Sequence, residues 1–397
     1  MTNRHTTESQ LRILVTGLIA QYPLGGVTWD YIQYPAGLAA LGHDVHYVED
    51  TGQWPYNPQE GGVSKSADYN VRYLEAAMDR FGLADRWAYR FPWNSQWFGQ
   101  SPKRVKELIK SADLVINVSG TLDRPHEYRG SARLVYVDSD PVFTQVKLAK
   151  DRKDFKGLVD CHDATFSFGE SLPDDLQDGI HDWLPTRQPI LLEEWRNGLG
   201  HRDTYTSVMN WTSYKPIELD GRSFGQKDVE LRRFLDLPSR VDVKLEVAMA
   251  TGKTSRAPLE LLRHKGWQVV DPEEVCSDAH SYRTYLQASK GEWSVAKNGY
   301  VEGRPGWFSC RSACYLASGR PVIVQDTGFS DVLPVGEGLL AFDDLDGAVA
   351  GIESVEVDYQ RHRDAALEIA REYFDASFVL TNLIERAFAS PVPPVKT

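Results

Sequence analysis

Short apolar runs closed by glycine or polar residues recur along the chain, each followed by a stretch with helical spacing. The first run, residues 11–17 (LRILVTG), is apolar and β-branched, as expected of a parallel strand buried on both faces. A loop carrying Gly25-Gly26 follows. Helical spacing over 31–41 then ends at Gly42, and 43–49 (HDVHYVE) reads as a second strand. Strand, loop, helix and strand together make one βαβ crossover. Helical spacing over 103–111 leads into a strand at Leu114–Val118, and further strands are expected at 134–137 and 164–168.

The alternation breaks over 184–206, where PTRQP and NGLGHRD gather Pro, Gly and charge; a linker is placed there. It resumes with strands at 205–211, 243–248, 269–270, 293–296 and 321–324. Helices are expected at 225–235, 257–265, 281–289, 309–317, 344–352, Tyr359–Tyr373 and 378–388, before a Pro-rich tail. The prediction is an α/β protein with two Rossmann-like doubly wound domains facing across a cleft. The first spans 1–190 and the second 205–375, with 376–397 as a C-terminal helical segment.

A length of 397 residues suits two cores, and 42% hydrophobic residues can fill them. The formal net charge of −12 argues against nucleic acid as a partner but leaves room for a local basic pocket. The cysteines, Cys161, Cys276, Cys310 and Cys314, form no CxxC pair and read as thiols of a reducing compartment, so a cytoplasmic location is expected. The N-terminus is polar, and the chain has no apolar run of membrane-spanning length.

Candidate chemistry collects where strands end. Gly25 and Gly26 would let a helix N-terminus approach an anion, or would simply form a turn. Asp138 and Asp140, in DSDP after the strand LVYV, suit a general base, a hydroxyl clamp or a turn before Pro. His162 precedes the next strand at the same sheet edge and is a candidate catalytic residue there, or a structural histidine as lone histidines more often are. Lys297 follows the strand at 293–296 and would neutralise a pyrophosphate, or be solvated as loop lysines usually are. Arg311 and Ser312 open the helix at 309–317, with Arg304 nearby, and this is where a phosphate is favoured. Asp326 and Thr327 leave the following strand, placed to bond ligand hydroxyls or to cap a turn. No GxGxxG, P-loop lysine or nucleophilic triad is present, and no carboxylate cluster has metal-ligand spacing, so no metal is expected.

The segment 299–342 reads GYVEGRPGWFSCRSACYLASGRPVIVQDTGFSDVLPVGEGLLAF. It resembles the C-terminal domain of GT-B glycosyltransferases, specifically the retaining family 4 or group 1 type. The matching features are the glycine loop with Gly306, the helix at 309–317, Gly319-Arg320-Pro321-Val322, the turn Thr327-Gly328 through Val332-Leu333, and Gly336-Glu337-Gly338-Leu339-Leu340. The resemblance implies a nucleotide-sugar donor held by the second domain, with Gly306 and Gly328 among its contacts. It implies a small-molecule or glycan acceptor in the first domain and a final helix crossing back onto that domain. It further implies net retention and no cofactor beyond the nucleotide-sugar, which is a co-substrate. The retaining families usually carry two glutamates; here Glu302 is the candidate for the first, while Cys310, followed by Arg311 and Ser312, stands at the second. Two alternatives share the architecture. One is a nucleotide-sugar epimerase using Asp138, Asp140 and Glu170; the other is a non-catalytic nucleotide- or sugar-binding protein.

Overall fold

The computed structural model describes residues 10–150, 153–196, 200, 202–251 and 257–390. Eight strands form the first sheet: Arg12–Thr16 (β1), Asp44–Glu49 (β2), Trp87–Arg90 (β3), Trp97–Gly99 (β4), Leu114–Val118 (β5), Arg133–Asp138 (β6), Ala164–Ser167 (β7) and Trp183–Pro185 (β8). Their order is β8-β7-β6-β5-β1-β2-β3-β4, parallel throughout except for the β3–β4 pair at one edge. Parallel strands covered on both faces by helices are mostly apolar without alternation, and all five residues of β5 are buried.

Six strands form the second sheet: Thr204–Asn210 (β9), Lys244–Ala250 (β10), Gln268–Val270 (β11), Gly291–Ser294 (β12), Val322–Gln325 (β13) and Leu339–Phe342 (β14). They run in the order β11-β10-β9-β12-β13-β14 and are all parallel. In each sheet the order reverses beside the first strand, and a crevice opens at the carboxyl ends of the strands there.

Several elements differ from the expectation. The first helix, Gly25–Ala40 (α1), starts six residues before 31, so Gly25 and Gly26 lie in its first turn rather than in a loop. Tertiary packing explains the early start. A Cβ on Gly25 would stand 2.1 Å from the Asp278 carbonyl oxygen and 2.6 Å from the Tyr282 Cβ. The Trp29 indole donates to the Ala279 carbonyl at 2.8 Å. The helix expected at 225–235 is short, Lys227–Leu231 (α2), and continues as a 3-10 turn. Ala279–Ala288 (α3) is the helix against which α1 presses.

The stretch expected to be a glycine loop is the helix Asn298–Gly303 (α4), followed by Cys310–Ala317 (α5). Gly299 and Gly303, one turn apart, let α4 lie directly on Phe143 and Val142. A Cβ on either would approach those side chains to 2.5 Å. Residues 184 and 185, assigned to the linker, are paired in β8. The helix Asp68–Arg80, the β3–β4 pair and the small hairpin Ile217–Leu219 with Arg222–Phe224 were not expected at all.

The two halves meet closely. The Ile190 amide donates to the Phe374 carbonyl at 2.7 Å, and the Ala376 amide to the Ile190 carbonyl at 3.0 Å. The last helix, Ala376–Ala389 (α6), lies against β6, where the Arg133 guanidinium donates to the Ala387 carbonyl at 2.7 Å. One apolar core contains residues of both halves, and a second lies entirely in the C-terminal half. Residues 391–397, the Pro-rich tail, lie outside the described residues. Among the described residues no helix is long and apolar enough to cross a membrane.

Candidate active site

The strands of the two sheets point their carboxyl ends at one another, and two adjoining chambers of about 440 Å³ each fill the gap. The first lies over β5 and β6 and is lined by Ser119, Tyr136, Asp138 and Asp140. The second lies over β9 and β10 and is lined by Asn210, Gln226, Lys227 and Ala250, with Gly26 and Tyr282 closing it. Asp30, Lys297, Trp307 and Ser309 line both. A wider hollow adjoins the second chamber, sharing Tyr56, Ala250, Pro272 and Glu273 with it.

Asp138 and Asp140 have different environments. The buried Asp138 carboxylate accepts from Thr144 Oγ1 at 2.7 Å, from Gln145 Nε2 and Ser167 Oγ at 3.1 Å, and from the Asp140 amide at 3.1 Å. It therefore organises the loop after β6; burial raises its pKa, and these bonds oppose the rise. Asp140 faces the other domain, where Lys297 Nζ meets it at 2.7 Å, the Tyr214 hydroxyl donates at 3.0 Å, and the Tyr300 hydroxyl also donates. Burial alone would raise the Asp140 carboxyl, but the Lys297 ammonium and these bonds outweigh it and hold it below the usual range. The lysine also lies over the rings of Phe143, Tyr300 and Tyr214, at 4.9, 5.2 and 5.4 Å. Two residues beyond Asp140, Val142 holds a φ of 72°, a left-handed conformation that strains a β-branched residue.

The other expected phosphate ligands are engaged within the second domain. Arg311 Nε donates to Glu292 at 2.6 Å, and its terminal nitrogens donate to the Val208 carbonyl at 2.7 Å and Ser294 Oγ at 2.9 Å. Its guanidinium borders the second chamber with its charge already matched. Ser312 is buried beneath it and lines neither chamber. Arg304 Nη2 pairs with Asp326 at 3.0 Å, away from both chambers. Asp326 in turn caps the Gly328 amide at 2.9 Å, and Thr327 donates to the Trp307 carbonyl. The Gly306 amide donates to the Thr327 carbonyl at 2.9 Å. A Cβ on Gly328, whose φ is 89°, would come within 2.9 Å of the Arg304 carbonyl oxygen. Arg304, Gly306, Asp326, Thr327 and Gly328 thus clasp two loops together rather than facing the cleft.

His162 requires a correction. It lines neither chamber; its Nε2 meets Asn117 Nδ2 at 3.0 Å and its Nδ1 meets the Val159 carbonyl oxygen at 3.2 Å, with Tyr136 standing between it and the cleft. Burial lowers its pKa to about 4. A lowered histidine pKa contributes stability that is present above the ordinary value of 6.5 and lost as pH falls through 4. The stability lost between pH 7 and pH 4 should therefore shrink in His162→Gln. Equal losses in chemical denaturation of the two proteins would refute this.

No family model matches the chain, and no curated protein matches it in sequence. Solved structures do match its fold. An α-glucosyltransferase in complex with UDP and a 13-mer DNA superposes with a TM-score of 0.60 at 11% identity, over 96% of this chain and 100% of that one. HepE (Alr3699) of Anabaena, in complex with UDP-glucose, gives 0.59 at 10% identity over the same shares. Sucrose-phosphate synthase of Thermosynechococcus elongatus gives 0.53 at 11% identity, again over 96% and 100%. The chain has the GT-B fold.

Three residues of this GT-B cleft escaped the sequence reading. Lys227, in the first turn of α2, has no hydrogen-bond or ion-pair partner among the described residues and borders the second chamber. Burial, followed by repulsion from Arg311, pushes its ammonium well below the ordinary lysine pKa. Beside it the amide nitrogen of Gln226, in a side chain almost wholly buried, also lacks a partner. Asp30, on α1, stands where the two chambers join. The tripeptide Gly225-Gln226-Lys227 at a helix start was the available signal for the first two. Asp30 carried none, because its helix was expected to begin after it.

Proposed function

We propose that the protein is a hexosyltransferase-type glycosyltransferase, with a nucleotide-sugar donor in the second chamber and a small-molecule or glycan acceptor in the first. The observation that carries this reading is the Lys227 ammonium beside the Gln226 amide, both without a partner among the described residues, at the carboxyl ends of the parallel strands. A half-buried cation with no partner among the described residues is costly, and a diphosphate would match it and the buried Gln226 amide. Lys297 faces the same space from the other side and would meet the phosphate while keeping its bond to Asp140. Two cations at one diphosphate make a metal unnecessary, so turnover should survive EDTA. UDP is favoured as the nucleotide because similar folds were solved with UDP or UDP-glucose. One of those structures also holds DNA; the net charge of −12 favours an uncharged or carbohydrate acceptor for this chain. Its four cysteines, all free, are in keeping with a cytoplasmic enzyme.

Melting curves with UDP, GDP, TDP and ADP provide the test. Binding at 100-fold excess over Kd should add about 2.7 kcal/mol of stability. UDP is expected to raise the melting temperature most. If none of the four raises it, the donor reading fails.

A further inference from the structure

We infer that Asp30 is the catalytic base that takes the acceptor's proton, and that the sugar is transferred with inversion; this rests on the glycosyltransferase reading above. Among the described residues Asp30 is the one carboxylate lining both chambers. The other cleft acids are committed or misplaced. Asp138 is saturated by its own loop, Asp140 is held by Lys297 and two tyrosines, and Glu273 borders only the second chamber and the hollow beyond it. Asp30 makes no ion pair among the described residues. It reaches the cleft from the first domain, where the acceptor lies, at the point where an anomeric carbon would project from a donor held by Lys227.

Asp30 is exposed to the cleft it lines, and the protein packed behind it raises its pKa to about 6, against the Cys310 thiol bond and the Arg311 charge that lower it. Such a group is ionised at neutral pH and yet basic enough to accept a hydroxyl proton during bond formation. The groups that face it are Tyr31 and Tyr34 on α1, Tyr282 on α3, and Cys310, Arg311 and Cys314 on α5, with Lys297 lining the same chambers. Neither of the two glutamate positions that the sequence resemblance implies puts a carboxylate in the cleft. Glu302 is exposed and lines neither chamber, and the second position holds Cys310.

In the step proposed, the acceptor oxygen forms its bond to the anomeric carbon on the face opposite the phosphate. Its proton passes to the Asp30 carboxylate. The bond between the anomeric carbon and the phosphate oxygen breaks, and its electron pair leaves on the nucleoside diphosphate, whose charge meets Lys227.

UDP-glucose with methanol as surrogate acceptor tests this. Proton NMR of the wild-type product should show methyl β-glucoside, the inverted configuration from an α-linked donor. Asp30→Asn should slow UDP release by about 10²–10⁴-fold and leave the Kd for UDP-glucose and the melting temperature unchanged. The wild-type rate should rise with pH through about 6, and the residual rate of the variant should not. Methyl α-glucoside as product, or a variant within about threefold of wild type, overturns the inference. A wild type that binds UDP-glucose but releases no UDP overturns it as well. A wild type that does not bind UDP-glucose removes the donor reading instead, and this inference with it.

Discussion

Arg311→Ala is expected to unfold far more easily than the wild type, by about 3–5 kcal/mol, because it strands a buried charge. Its partner Glu292 is fully buried on β12, in the middle of the second sheet. The guanidinium meets Glu292 at 2.6 Å and also satisfies the Val208 carbonyl of β9 and the hydroxyl of Ser294. Glu292 Oε2 has no hydrogen-bond partner among the described residues, so nothing there replaces the lost bonds. Burial opposes the charge on Arg311, yet the carboxylate outweighs it and holds the guanidinium protonated. Lysine would keep the charge but not the three-way fork, so Arg311→Lys should recover only part of the loss. Urea denaturation of the three proteins decides the matter. The sequence alone placed a phosphate on Arg311. If Arg311→Ala loses less than about 1 kcal/mol of stability while nucleotide affinity collapses, that first reading is right and the structural one is wrong.

Lys227→Ala should have the opposite signature: weak UDP binding in a protein at least as stable as the wild type. A charge-assisted phosphate bond contributes about 1.5–3 kcal/mol, so UDP affinity should fall roughly 10- to 100-fold. Removing the ammonium also relieves its burial and its repulsion from Arg311, so the melting temperature should hold or rise. The lowered pKa adds a second readout. At pH values between the lowered pKa and the ordinary 10.5, the free enzyme carries Lys227 largely neutral, and a bound diphosphate draws a proton onto it. UDP binding should then take up protons from the solvent, which calorimetry in two buffers of different ionisation heat would detect. Unchanged UDP affinity in Lys227→Ala would leave the second chamber without its phosphate anchor.

The sequence by itself determined the layered α/β architecture. Runs such as LRILVTG and LVINV are apolar at most positions, without a two-residue alternation, because parallel strands are covered on both faces, and that signature is local. Gly42, with a φ of 89°, ended its helix as read, because the left-handed residue after a helix is a local requirement too. Only the tertiary structure decided where α1 begins, since the reason is a carbonyl at Asp278 on the other domain. Likewise α4 is a helix rather than a glycine loop because Val142 and Phe143 press on its two glycines. The division of labour among the charges was also invisible in the sequence. Arg311 and Lys227 both open helices and look alike as candidate phosphate ligands. They differ because Glu292, brought beside one of them by β12, neutralises it, while nothing among the described residues reaches the other. A helical or strand period reports which face is buried. Which charge is paired depends on residues far apart in the chain, as with Lys297 and Asp140, and desolvation makes that pairing decide which cation remains for a ligand.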